Sequence, residues 1–142
     1  MTANERFLSM PPLILSGMAL CLWMSLIFWF SSLPGSNYLF DPPFWYVLER
    51  KSAHVFEFTV LMILAVRFIA DWFSKESYKR ILLLAGVFSL AFAVSDELHQ
   101  FFVPHRGAKI ADVVVDAGGI LLIAGVLFIL EKWKTRKRVT SE

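Results

Sequence analysis

A long uncharged segment near the N-terminus constrains the fold more than any other feature of this sequence. No Asp, Glu, Lys or Arg occurs between Arg6 and Asp41. The most apolar part of this segment, residues 12–31, has the length of about 20 residues that a helix needs to cross the hydrocarbon core of a bilayer. A secretory signal peptide would have a shorter apolar core and a small-residue cleavage site, which we do not find. The segment therefore predicts a retained transmembrane helix.

The overall composition also points to lipid as the surrounding solvent. Hydrophobic residues make up 57% of the 142 residues and charged residues 18%, and the mean hydropathy is +0.60. A soluble domain of this size cannot bury so much apolar surface, whereas a disordered chain would contain far less of it. A disulfide scaffold is excluded because Cys21 is the single cysteine.

Three further apolar segments predict three more transmembrane helices. They cover residues 52–70, 81–103 and 110–130. The polar turn at residues 71–79 makes the first two of these helices an antiparallel hairpin. Because no internal repeat or long linker is present, we predict one domain over residues 1–142. Its fold class is all-α: a polytopic membrane protein built as a compact four-helix bundle.

Lys and Arg are distributed unevenly between the two sides of this predicted bundle. One side has nine of them, namely Arg6, Lys75, Lys79, Arg80, Lys132, Lys134, Arg136, Lys137 and Arg138, and the other has four, Arg50, Lys51, Arg106 and Lys109. The positive-inside rule then predicts that both termini are cytoplasmic. The basic tail at residues 131–142 is interpreted as a stop-transfer flank attracted to anionic lipid, so we expect no nucleic-acid partner.

Polar residues inside the later spans converge on one depth, at the end predicted to face outward. Within each predicted helix these polar residues are three or four positions apart, which places them on one face of that helix. These residues are Lys51, His54 and Glu57 on the second helix, Asp96, His99 and Gln100 on the third, and Asp112 and Asp116 on the fourth. Glu97 points elsewhere or lines the rim, and Arg106 lies in the turn before the fourth helix. Since each ionisable side chain costs about 2.5–3.5 kcal/mol to insert into hydrocarbon, we expect a hydrated site rather than a salt-bridge cluster that sets helix register.

These residues form motifs that resemble the VanZ-like membrane protein family. The motifs are Lys51-x-x-His54-x-x-Glu57-Phe58, Ser95-Asp96-Glu97-Leu98-His99-Gln100 and Pro104-x-Arg106-Gly107-x-x-x-x-Asp112, together with Ser31-Ser32 and Gly118-Gly119. The chain departs from the family pattern at Leu33, His105 and Asp116, where the family commonly has Gln, Gly and Asn. The resemblance implies a multi-pass protein of the bacterial plasma (inner) membrane, connected with the cell envelope and with teicoplanin-type antibiotic resistance.

The residue types suit acid–base and phosphate chemistry. The candidate catalytic residues are His54, Glu57, Asp96, His99, Arg106 and Asp112, and the candidate substrate-binding residues are Lys51, Glu97, Gln100 and Arg106. A His–carboxylate pair can act as general acid and base while Arg106 and Lys51 hold a phosphate of a lipid-linked substrate.

A divalent metal is a further option, although the sequence contains no specific metal-binding signature. Nitrogen and oxygen donors on facing helices are typical of metal sites in bundles. The ligands available here are His54, Glu57, Asp96, His99, Asp112 and Asp116.

Three functions remain open at this point. The first is binding of, or action on, a lipid-linked cell-wall precursor or other envelope component, or a lipoglycopeptide, with membrane lipid as the surrounding partner. The second is a metal-dependent intramembrane hydrolase or transferase that acts on a lipid substrate. The third is a non-catalytic structural or assembly partner. No pattern in the sequence predicts an oligomeric state.

Overall fold

A computed structural model shows four long helices. The structure describes residues 11–35, 43–106 and 109–139, with side chains as far as residue 137. The helices are α1 (Pro12–Ser32), α2 (Phe44–Trp72), α3 (Tyr78–Phe101) and α4 (Ile110–Val139). Each helix is long and apolar enough to cross a membrane. The predicted all-α, four-helix, multi-pass architecture is therefore confirmed. Arg6, Asp41, Gly107 and residues 140–142, which the sequence analysis used, lie outside the described residues.

Two helices extend well beyond the predicted spans. α2 begins at Phe44, directly after Pro43, and its 29 residues correspond to about 44 Å, against about 30 Å for the hydrocarbon core of a bilayer. α2 is therefore longer than a span needs to be, and the extra length includes its charged first turns. α4 continues to Val139, so the predicted tail is helical over most of its length. Lys132 and Lys137 there lie over the rings of Phe128 and Trp133.

The α2–α3 hairpin forms the centre of the bundle. α1 packs on one side of it and α4 on the other, so the backbones of α1 and α4 stay apart within the described residues. Small side chains spaced four residues apart on α3 allow α2 to approach closely. These are Ala85, Ser89 and Ala93. The two alanines belong to one buried cluster with Phe58, Leu61, Met62 and Ala65 of α2, and the Ser89 hydroxyl donates to Met62 Sδ.

The outward faces of the helices are strongly apolar. Leu22 on α1 is 69% exposed, and Leu121 and Leu122 on α4 are 70% and 68% exposed. A continuous apolar surface of this kind is unfavourable in water and stable in lipid. The faces thus agree with a multi-pass membrane protein.

Four helix termini meet at one end of the bundle. The C-termini of α1 and α3 and the N-termini of α2 and α4 lie there, because consecutive helices run in opposite directions. We call this the polar end, since it contains the ion pairs and hydrogen bonds described below. Its placement on the outer side of the membrane stays a prediction.

Candidate functional site

An open pocket of about 320 Å³ lies at the polar end between α1 and α2. Its walls come from the last turn of α1, the first turns of α2 and the turn that precedes α4. The lining residues are Phe30, Ser31, Leu33, Arg50, Ala53, His54, Glu57 and Arg106. The pocket combines four ionisable side chains with an apolar edge, which is a composition suited to the headgroup of a lipid.

The turn after α3 places Arg106 at this pocket. The backbone N–H of Gly35 donates to the carbonyl oxygen of Pro104 at 3.1 Å, which joins the turn to the end of α1. A Cβ atom at position 35 would clash with the backbone carbonyl group of His105, so only glycine permits this approach. His105 itself has φ of 59°, a left-handed conformation that is strained for a residue with a side chain.

Two arginines line the pocket, and neither forms a salt bridge with a carboxylate of the described residues. Arg106 donates from Nη2 to the carbonyl oxygen of Phe30 at 2.9 Å, and its Nε is buried with no hydrogen-bond acceptor in the described part of the chain. Arg50 makes no ion pair with any described residue. Burial and the nearby charge of Arg50 lower the pKa of Arg106 from its ordinary value, but an arginine remains protonated at neutral pH.

Two contacts between a basic and an acidic side chain connect α2 to α4 beside the pocket. His54 Nδ1 lies 3.3 Å from Asp116 Oδ1, and neither atom has a hydrogen-bond partner among the described residues. Lys51 Nζ lies 3.6 Å from Asp112 Oδ1. The two helices run in the same direction, so one-turn steps along each helix bring the residues into register. Asp116 is only 1% exposed, and its contact is therefore the inner one of the two.

A buried hydrogen-bond network connects α1 to α3 behind the pocket. The hydroxyl of Ser31 donates to Asp96 Oδ2 at 2.8 Å, and the side-chain amide of Gln100 donates to the same oxygen at 2.7 Å. The other oxygen of Asp96, Oδ1, is buried with no donor among the described residues. Ser31 also lines the pocket, so the network fixes one of the pocket walls.

His99 and Glu97 form contacts away from the pocket. His99 Nε2 lies 3.1 Å from the hydroxyl oxygen of Ser32, and its ring stacks on Phe28 with centroids 4.2 Å apart. Because the Ser32 hydroxyl donates to the carbonyl oxygen of Phe28, we assign the proton of the His99 contact to Nε2. Glu97 is buried and accepts a hydrogen bond from the backbone N–H of Lys109, immediately before α4.

The structure thus separates the predicted site residues by position. Three predicted catalytic residues line the pocket: His54, Glu57 and Arg106. The remaining ones form contacts between helices next to it, namely Lys51, Asp96, Glu97, His99, Gln100, Asp112 and Asp116. Their predicted catalytic and binding roles stay predictions.

Two of the polar residues that line the pocket, Arg50 and Ser31, were not predicted as site residues from the sequence. Arg50 lies four residues before His54 and seven before Glu57, so helical spacing alone puts it on the same face of α2. Its position in the flank of the predicted span led it to be counted only for membrane orientation. Ser31 was noted only as part of a motif, because its hydrogen bond to Asp96 depends on the packing of α1 against α3.

The candidate metal ligands do not assemble into one set. Within the described residues, no three His, Cys, Asp or Glu side chains are placed to hold a metal ion together. His54 pairs with Asp116, Asp96 accepts from Ser31 and Gln100, and His99 contacts Ser32. These separate contacts do not resemble the three- or four-ligand arrangement of zinc.

Comparison with known proteins identifies one family. A sequence profile described as VanZ/LLP1 matches residues 17–131, which is most of the chain and includes every pocket residue. No curated protein and no solved structure matches the chain significantly.

Proposed function

Because the chain belongs to the VanZ/LLP1 family, we propose that it binds the phosphate-bearing headgroup of a lipid-linked cell-envelope component in the bacterial plasma membrane. The observation that carries this proposal is the pair of pocket arginines, Arg50 and Arg106, which have no carboxylate ligand among the described residues. A bound phosphate would supply the acceptors that this pair lacks.

Arginine is the side chain best suited to this ligand. Its planar guanidinium donates two parallel hydrogen bonds to a phosphate, and these charge-assisted bonds are about twice as strong as neutral ones. Arg106 uses Nη2 on the carbonyl oxygen of Phe30, which orients the guanidinium and leaves other N–H groups free to bind. Like charges held close together in a partly buried pocket are unfavourable until an anion binds between them.

The surroundings of the pocket agree with a lipid carrier. Phe30 and Leu33 form an apolar edge, and both are 45% exposed. An acyl or polyprenyl chain leaving the pocket would contact this edge before it reaches the bilayer. We propose that the polar end faces the outside of the cell, where a captured envelope component would alter exposure to teicoplanin-type lipoglycopeptides.

The two unpaired arginines support binding, and our proposal extends no further than binding. Asp96 already accepts two hydrogen bonds, which favours a place for it in the frame around the pocket. His54 lies beside Asp116, an arrangement that suits a structural contact and acid–base catalysis alike.

A binding experiment on the full-length purified protein tests the proposal. Native mass spectrometry in detergent would compare a polyprenyl phosphate with the polyprenol of the same chain length. We expect retention of the phosphate only, and a loss of about tenfold or more in Arg106→Gln and Arg50→Gln, since each removes a charge-assisted contact. Arg80→Gln, which removes an arginine paired with Glu76 at the opposite end of the bundle, should bind as the wild type does. Equal binding of phosphate and alcohol would contradict the proposal.

An assay in cells tests the consequence for resistance. The wild type and the Arg50→Gln, Arg106→Gln and Arg80→Gln variants would be produced at equal levels in a teicoplanin-susceptible host. We expect reduced teicoplanin susceptibility with the wild type and with Arg80→Gln, and none with the two pocket variants. Identical susceptibility for all four proteins would rule out a role of the pocket in resistance.

A further inference from the structure

A second charged group in the pocket remains unexplained by phosphate binding. Glu57 lines the pocket, and its carboxylate makes no ion pair with any described residue. Its backbone carbonyl oxygen accepts a hydrogen bond from Trp23 Nε1 at 2.9 Å. Trp23 also packs edge-on against Phe56, with ring centroids 6.1 Å apart. The segment that carries Glu57 is therefore fixed against α1 while its carboxylate stays available.

The described residues around the pocket carry no excess of positive charge. The basic groups of Lys51 and His54 each lie beside an aspartate of α4. The carboxylates of Glu57, Asp96 and Glu97 make no ion pair with any described residue, and Asp96 and Glu97 are buried next to the pocket. These carboxylates already balance the charges of the two pocket arginines.

This balance of charge restricts which phosphate ligand binds best. A ligand that carries only a phosphate can bind the two arginines, but it adds negative charge in a site beside lipid, where the low dielectric constant makes that charge costly. A ligand that also carries an ammonium group near its phosphate keeps the balance and should bind more tightly. The ammonium would also supply the hydrogen-bond donor that Glu57 lacks.

We propose that the ligand is zwitterionic: a phosphate ester with a primary amine a few atoms away, held by Arg50 and Arg106 at the phosphate and by Glu57 at the ammonium. This inference rests on the proposed phosphate site and names its ligand class. Ethanolamine phospholipids and polyprenyl phosphates that carry an amino sugar share this chemistry.

Two matched pairs of probes test the inference by native mass spectrometry of the full chain in detergent. The first pair is phosphatidylethanolamine and phosphatidylglycerol with identical acyl chains. The second is a polyprenyl phosphate carrying glucosamine and the same lipid carrying N-acetylglucosamine. We expect the wild type to prefer the amine by about tenfold in at least one pair, as one charge-assisted hydrogen bond predicts. The pair that shows the preference identifies the source of the ligand.

Substitutions of two glutamates on α2 provide the controls. Glu57→Gln should bind both members of a pair equally, whereas Glu57→Asp should retain the preference. Glu49→Gln removes an exposed carboxylate of the same helix outside the pocket and should match the wild type. A thermal unfolding curve for each variant separates loss of binding from loss of fold.

Two results would overturn the inference. One is a wild type that prefers the amine in neither pair, and the other is a preference that persists in Glu57→Gln. Either result leaves the phosphate site standing if the two arginine variants still lose polyprenyl phosphate. Failure of the phosphate site would instead appear as equal binding of polyprenyl phosphate and polyprenol.

Discussion

Single residues at the turn before α4 determine where Arg106 points. Gly35 allows the turn to contact the end of α1, and His105 adopts a left-handed conformation with φ of 59°. The family resemblance had marked position 105 as one where glycine is common. The structure supplies the physical reason, because glycine adopts this conformation without steric strain.

Substitution of His105 tests the strain directly. We expect His105→Gly to stabilise the protein by up to about 1 kcal/mol, because it removes the steric cost of the left-handed conformation. His105→Val should destabilise it, since a β-branched residue tolerates this conformation least. Thermal unfolding in detergent would measure both variants. If His105→Gly were less stable than His105→Val, position 105 would not be strained by a left-handed conformation.

The hydroxyl group of Ser31 connects α1 to the buried hydrogen-bond network of Asp96 on α3. Ser31→Ala would leave the buried carboxylate of Asp96 with one donor fewer, and we expect a loss of about 1–3 kcal/mol in the free energy of unfolding. Ser25→Ala is the matched control, because the exposed Ser25 hydroxyl donates only within α1, to Cys21. Unfolding curves that are the same for the two variants would mean that the network contributes nothing to stability.

At the scale of helices, apolar run length predicted all four elements but misplaced some of their ends. α2 begins eight residues before the predicted span at residue 52, because Glu49, Arg50 and Lys51 end an apolar run without ending a helix. Helical spacing also placed Asp96 and Gln100 on one face correctly. It could not show that this face meets Ser31, since spacing along one helix carries no information about its neighbour.

Adjacent glycines on α4 offer a test of helix packing. A Cβ atom at Gly119 would lie 3.1 Å from the carbonyl oxygen of Val55 on α2, whereas one at Gly118 would meet nothing within 4 Å. We expect Gly119→Leu to force α4 away from α2 at a cost of about 1–3 kcal/mol. Gly118→Leu should leave the unfolding temperature close to that of the wild type. The opposite order of stability would show that α2 and α4 pack through another face.

At the scale of the whole molecule, charge distribution predicts the orientation of the bundle. The sequence places nine Lys and Arg residues on one side and four on the other, so the polar end is expected to face outward. The pocket then opens to the side of the membrane where envelope components are assembled and lipoglycopeptides arrive. Sequence alone could not locate that pocket, because its lining comes from three separate segments that only the fold brings together.

Cysteine labelling in intact cells tests this orientation. In a Cys21→Ala background, Pro104→Cys lies in the exposed turn at the polar end, and Ser74→Cys lies in the exposed turn between α2 and α3. We expect a membrane-impermeant maleimide to label Pro104→Cys in intact cells and Ser74→Cys only after permeabilisation. The reverse pattern would place the pocket in the cytoplasm.

We propose that Arg50 and Arg106 hold a lipid phosphate between α1 and α2. The most direct measurement is an experimental structure of the full-length protein in nanodiscs made from native lipid extract. We predict density for a phosphate in the pocket, at about 2.7–2.9 Å from the guanidinium nitrogens of both arginines. A map that resolves both side chains around a pocket filled only by water, or closed by Phe30 and Leu33, would show that the arginines hold no phosphate.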